Sequence, residues 1–171
     1  RSFGYSGPLL SCVVNGFMLV FGALPLAAGA LADRIGRRRV FRWGLSGFIL
    51  SGAAPALAPS LLVVDLLRAL QGLCAAATLA GGGAVLAQIA DDSRRRRAFS
   101  LLGATFGFGL AFGPLAAGLA LELGGWRAVF LLASGVAALS LLGGIGAIPE
   151  SRSVPTTRFD IVGAALFAGV L

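Results

Sequence analysis

Gly29-Ala30-Leu31-Ala32-Asp33-Arg34-Ile35-Gly36-Arg37-Arg38-Arg39-Val40-Phe41 is a compact basic turn set between two runs too apolar for water. Arginine density of this kind beside a hydrophobic span marks the cytoplasmic edge of a membrane helix.

The rest of the chain fits that setting. Hydrophobic residues make up 57% of it and charged residues 12%, about half the roughly 25% of a soluble domain. The charges are clustered, leaving uncharged stretches at 2–32, 43–64, 69–90, 98–121 and 128–149, and a sixth from 161 onward. About 20 apolar residues rising ~1.5 Å each cross a ~30 Å hydrocarbon core. The pattern predicts five complete spans and the start of another, with helices over 8–31, 40–58, 61–89, 98–122 and 126–148, and a sixth from about Asp160. Irregular backbone cannot face lipid, and the connecting turns are short. The expected fold class is therefore an all-α, polytopic transmembrane helix bundle.

Orientation supplies an independent check. The turns at 33–42, 91–97 and 150–160 fall on one side and hold Arg34, Arg37, Arg38, Arg39, Arg42, Arg94 to Arg97, Arg152 and Arg158. The turns at 59–60 and 122–127 hold only Arg127, and Arg1 adds one more to that side. Every turn obeys the positive-inside rule, which puts the Arg-rich turns in the cytoplasm. Trp43 and Trp126 fall at the predicted water interfaces, where indoles prefer to sit.

The same pattern argues against other classes. A net charge of +7 would suggest nucleic acid in a soluble protein, but these basic residues are all Arg and mostly occupy short turns; no nucleic-acid partner is expected. There is no His, and Cys12 and Cys74 both fall inside predicted spans, which supports neither a disulfide framework nor a metal site. No nucleophile–base set appears, so neither an enzyme nor a bound cofactor is expected.

Individual residues of the turn suit close packing, charge pairing and a chain reversal. Gly29 lets a neighbouring helix approach, Asp33 at a helix end can pair with Arg or cap a helix N-terminus, and Gly36 permits a tight turn. Gly29-x-Leu31-Ala32-Asp33-Arg34-x-Gly36-Arg37-Arg38 resembles the signature between the second and third helices of the major facilitator superfamily. By that resemblance the first helix here is helix 2 of a longer protein and helix 1 is missing. The resemblance further implies that Gly29, Asp33, Arg34, Gly36, Arg37 and Arg38 form a cytoplasmic gate whose charge pairs break and remake between inward and outward states.

Two further stretches carry the same resemblance. Leu67-Arg68-Ala69-Leu70-Gln71-Gly72 is similar to the superfamily's helix 4 signature. Arg68 lies roughly 12 Å along its helix, a depth at which an unpaired charge costs ~2.5 kcal/mol or more. Arg68, Gln71 and Thr78 share one side of that helix, and Asp65, one turn before Arg68, can pair with it. Gly72, Ala76, Ala80 and Gly83 form a small-residue face suited to helix contact. Arg68, Gln71 and Asp65 are the candidate cavity and proton-coupling residues. Gly109-x3-Gly113-Pro114-x2-Ala117-Gly118 resembles the helix 5 signature of the superfamily's antiporters, with Ala117 where Gly is usual. Gly109, Gly113, Pro114 and Gly118 are then a pliable packing face, because Pro114 removes a backbone bond and kinks the helix. Gly125-Trp126-Arg127-Ala128-Val129-Phe130, Pro149-Glu150-Ser151-Arg152 and Phe159-Asp160 resemble the fourteen-helix drug:proton antiporter branch.

The expectation is a secondary transporter of the bacterial cytoplasmic membrane that exports drugs or other amphipathic small molecules against protons by alternating access. Its expected partners are the lipid bilayer, the small-molecule substrate, protons and the remaining helices of the same transporter, with the proton gradient as driving force. The expected organisation is a bundle over 1–148, a cytoplasmic loop over 149–160 and the start of the next helix at 161–171. A transporter of another solute, such as a sugar or metabolite, and a transport-inactive truncated membrane protein are the alternatives.

Overall fold

The computed structural model describes residues 16–144, and every regular element among them is helical. α1 spans Gly16–Ala23 and α2 Pro25–Ile35. α3 covers Arg37–Ala53 and runs into a 3-10 turn at Ala54–Leu57; α4 is Leu61–Ala87 and α5 is Asp92–Gly144. The expected helix start at Pro8, Cys12, the loop over 149–160 and the sixth span lie outside the described residues.

The break between α1 and α2 divides a run expected to be continuous. Pro25 has no N–H and its ring crowds the preceding turn, so the axis bends by 52° there. Gly36 reverses the chain between α2 and α3. Its φ of 112° and ψ of 126° lie where an L side chain is strained, so only glycine fits without cost. α3 starts at Arg37, ahead of the expected Val40, and carries three arginines at the positive end of its dipole with no side-chain cap. That placement opposes helix stability; topology accounts for it.

α4 begins on Ser60, whose Oγ accepts the Val63 N–H at 3.4 Å, an N-cap. α5 begins on Asp91, whose Oδ1 accepts the Ser93 N–H at 2.8 Å and the Arg94 N–H at 3.3 Å. This cap starts the helix ahead of the expected Ala98 and brings Arg94 to Arg97 into its first turns. Gly125, at φ 69° and ψ −170°, breaks α5 into two arms, 92–124 and 126–144. The first arm is roughly 50 Å long at ~1.5 Å per residue. It exceeds a ~30 Å hydrocarbon core, so its arginine-bearing turns stand outside the core.

Packing is inverted relative to a soluble core. Ala32 and Ala76 are fully buried, while Leu57 and Leu123 are each 87% exposed. Between helices in lipid, small residues let backbones approach and large apolar ones face the solvent chains. A Cβ on Gly44 would stand 2.8 Å from the Thr78 N, and one on Gly81 2.8 Å from the Phe41 N, both across the α3–α4 contact. A Cβ on Gly72 would stand 2.7 Å from the Phe17 carbonyl of α1. Ala76 is fully buried as well, whereas a Cβ on Gly83 of the expected small-residue face would meet nothing within 4 Å among the described residues. α4 and α5 are each long and apolar enough to cross a bilayer, and the bent α1–α2 pair passes the same test together.

Candidate functional site

The turn between α2 and α3 carries a charge latch. Arg37 donates from Nε to Asp33 Oδ1 at 2.8 Å, and its Nη2 lies 2.7 Å from the same oxygen. Its Nη1 donates to the Ala84 carbonyl at 3.2 Å. Ala84 lies in the last turn of α4, where carbonyls lack intrahelical partners. The Gln88 N–H bonds instead to Val85 and Leu86, which leaves the Ala84 oxygen to Arg37. One guanidinium therefore ties the α2–α3 turn to the negative end of the α4 dipole. The Arg37 side chain is only 17% exposed and that of Asp33 47%. The pair spans the Gly36 reversal and is half-open to water at Asp33, so it contributes up to about 1 kcal/mol. Gly36 is buried at the turn, Arg34 is exposed on α2 and Arg38 half-buried on α3. A Cβ on Gly29 would meet nothing within 4 Å among the described residues.

The second cluster centres on Arg68. Its Nη1 donates to Gln71 Oε1 at 3.0 Å. Its guanidinium carbon lies 4.6 Å from the centroid of the Phe17 ring and 5.6 Å from that of Phe130. Two aromatic faces within ~6 Å make cation–π contacts, so the charge is held by α1 and by the second arm of α5. Asp65 makes no ion pair among the described residues, and its Oδ1 is buried without a partner there. Gln71 is 2% exposed and turns its Nε2 toward Gly52 of α3 and Ser134 of α5. Phe17, Phe130, Gly52 and Ser134 escaped the sequence reading because they come from three other helices, far away in the chain. The one available signal was the small or polar residue at 52 and 134 inside otherwise apolar spans.

The glycines of α5 stand apart from both clusters. A Cβ on Gly109, Gly113 or Gly118 would meet nothing within 4 Å among the described residues, and Pro114 lies inside the helix. A cavity of about 470 Å³ opens between the helices, lined by Phe21, Phe41, Phe48, Thr78 and Phe106 together with aliphatic residues and glycine. The Thr78 hydroxyl already donates to the Cys74 carbonyl at 2.8 Å, so the cavity offers apolar surface in the size range of small-molecule pockets. No group of His, Cys, Asp or Glu able to hold a metal occurs among the described residues.

Residues 1–163 match the sequence family described as the Major Facilitator Superfamily. The puromycin resistance protein pur8 of Streptomyces alboniger is 36% identical over 172 residues, covering 100% of this chain and 34% of its own length. The multidrug efflux pump LfrA of Mycolicibacterium smegmatis is 37% identical over 155 residues, covering 90% of this chain and 31% of its own. A methylenomycin A resistance protein of Bacillus subtilis is 33% identical over 159 residues, covering 90% and 33%. The chain spans about a third of the length of these curated relatives.

Proposed function

This chain belongs to the Major Facilitator Superfamily, an integral-membrane transporter family, and on that premise we propose that the protein containing it is a proton-coupled exporter of amphipathic small molecules. Its relatives carry names of resistance and efflux proteins. The observation that carries the reading is the Arg37 latch, a weak ion pair and a carbonyl bond joining the cytoplasmic ends of two spans. Asp33, Arg34, Gly36, Arg37 and Arg38 then act as the cytoplasmic gate. Arg68 and Gln71, with Asp65 close by in sequence, serve proton coupling. Gly109, Gly113, Pro114 and Gly118 form a pliable face for helices of the remaining bundle, which rocks against this one in alternating access.

The apolar, phenyl-rich cavity suits a ring-bearing solute. The arginine-rich turns belong in the cytoplasm of a bacterial plasma membrane. The test is dye transport in inverted vesicles holding the intact protein. An acidic lumen should drive accumulation of a fluorescent amphipathic dye, and an uncoupler should abolish it. Uptake of a sugar with no response to the pH gradient would move the assignment to another solute class.

A further inference from the structure

We propose that Phe17 is a positioning residue for Arg68 and couples it, through Phe21, to the phenyl-lined cavity, so that a ring-bearing occupant of the cavity fixes the guanidinium. The first observation is how little else holds Arg68. Among the described residues it donates from Nη1 to Gln71 Oε1, its Nε is buried without a partner, and no carboxylate pairs with it. The Phe17 ring, 4.6 Å from the guanidinium carbon, is the nearer of its two aromatic contacts. A ring face attracts a cation most strongly away from water. Phe17 therefore does for Arg68 part of what a carboxylate would do.

The second observation is that Phe17 does not stand alone. Phe21, one turn further along α1, stacks on it with ring centroids 5.7 Å apart and planes 7° apart. Aromatic pairs at this separation attract one another, and residues four apart on a helix are neighbours. Phe21 is also part of the cavity wall, together with Ala75 and Thr78 of α4. The guanidinium, the Phe17 ring, the Phe21 ring and the cavity form one series in which every step is a direct contact.

The third observation is what is fixed and what can turn. A Cβ on Gly72 would stand 2.7 Å from the Phe17 carbonyl oxygen and 3.3 Å from the Phe21 nitrogen. Gly72 lies one turn beyond Arg68 and one turn short of Ala75. The backbone of α1 is thus pressed on α4 between the two ends of the series, and the ring pair is the part left to move. Neither ring can turn far without losing its stack on the other. An occupant packed on Phe21 orders both rings, and order already imposed at Phe17 need not be imposed again when Arg68 docks on it.

The use of this coupling in a transport cycle rests on the function proposed above, but its test does not. In the intact protein carrying Cys12→Ala and Cys74→Ala, Ala75→Cys puts a thiol in the cavity wall. Benzyl methanethiosulfonate tethers a phenyl group there through a disulfide, and dithiothreitol removes it. Site-resolved modification by phenylglyoxal in membrane vesicles, followed by mass spectrometry, reads how often the Arg68 guanidinium is released. The tethered phenyl should slow Arg68 modification about fivefold or more, the low end of coupling between two sites, and dithiothreitol should restore the rate. Phe17→Leu should raise the rate about two- to thirtyfold, the range of one cation–π contact, and make it indifferent to the tether. Phe17→Tyr, which keeps a ring, should keep both the slow rate and the response. Phe21→Leu, which leaves a ring on Arg68 but breaks the stack, should lose the response. The same phenyl on Leu119→Cys, outside the cavity, should change nothing.

A tether at position 75 that leaves the Arg68 rate unchanged overturns the proposal. So does an equal slowing in Phe17→Leu or Phe21→Leu, which would mean that the phenyl shields Arg68 directly, or a Phe17→Tyr that behaves as Phe17→Leu does. Absence of dye transport in the wild type would instead remove the transport reading and leave the coupling standing.

Discussion

Arg127 reaches back to Ala56 at the end of α3 far from the Gly36 turn: its Nε donates to the Ala56 carbonyl at 2.7 Å. The carbonyl belongs to the 3-10 turn that closes α3, where backbone oxygens lack helical partners. The same guanidinium lies 4.8 Å from the Trp126 ring centroid. This is the counterpart of Arg37 on Ala84. At each end of the bundle one arginine ties a helix end to a distant carbonyl.

Arg127→Ala should therefore lower stability by about 1 kcal/mol, because the bond is exposed and its gain modest. Thermal unfolding of the detergent-solubilised protein measures this. Arg127→Lys, which keeps the charge but not the fork, should recover only part of the loss. An unchanged midpoint in Arg127→Ala would show that water replaces the contact without cost.

Asp33→Asn tests the latch at the Gly36 turn. The ion pair contributes little to folding, so the variant should insert and solubilise like wild type. Arg37 then loses its anion and keeps two neutral acceptors, the amide oxygen at position 33 and the Ala84 carbonyl. Export should fall by up to about fivefold, the factor for ~1 kcal/mol of lost preference between two states. Full dye transport by Asp33→Asn at wild-type expression would remove the gate.

The long apolar runs and the α2–α3 turn were legible because they rest on local signals, whereas α3, expected as a span over 40–58, is a 17-residue helix at Arg37–Ala53 and is not among the helices long and apolar enough to cross a bilayer. Uncharged runs, arginine clusters and Gly36 can all be read within about ten residues. The surroundings of Arg68 were not. Spacing along α4 offers Asp65 as a partner one turn away, but the guanidinium turns to Gln71 and to two phenyl rings on other helices. No pattern along one helix shows a partner supplied by tertiary packing. The bend at Pro25 was visible as a proline but masked by an unbroken apolar run. The start of α5 was hidden in the same way, since four consecutive arginines read as a turn until Asp91 is seen capping them.

Asp91 gives a pH dependence with a definite sign. Its carboxyl is held below the usual 3.8 by the Ser93 hydroxyl and by the Ser93 and Arg94 amides. A carboxylate with a lowered folded value stabilises the cap fully above the unfolded value. That stability disappears as pH falls through the lowered folded value. Protection of the Ser93 and Arg94 amides against hydrogen exchange should therefore hold above about pH 4 and drop in stronger acid. Asp91→Asn still caps and should show protection with no such drop. A drop of equal size in Asp91→Asn would assign the acid response to another group.

The glycines give a prediction in which two identical substitutions part ways. Gly44 and Gly83 both lie inside helices. A Cβ on Gly44 would stand 2.8 Å from the Thr78 backbone nitrogen and 2.9 Å from the Cys74 carbonyl. Backbone cannot swing aside as a side chain can, so α3 and α4 must separate, and overpacking of this kind costs about 1–3 kcal/mol. A Cβ on Gly83 meets nothing within 4 Å among the described residues. Alanine there gains helix propensity, worth up to about 1 kcal/mol. Gly44→Ala should lower the thermal midpoint, and Gly83→Ala should leave it level or raise it. If both lowered it equally, close approach of α3 to α4 would not be what these small residues provide. The seam would then owe its stability to the large side chains flanking it.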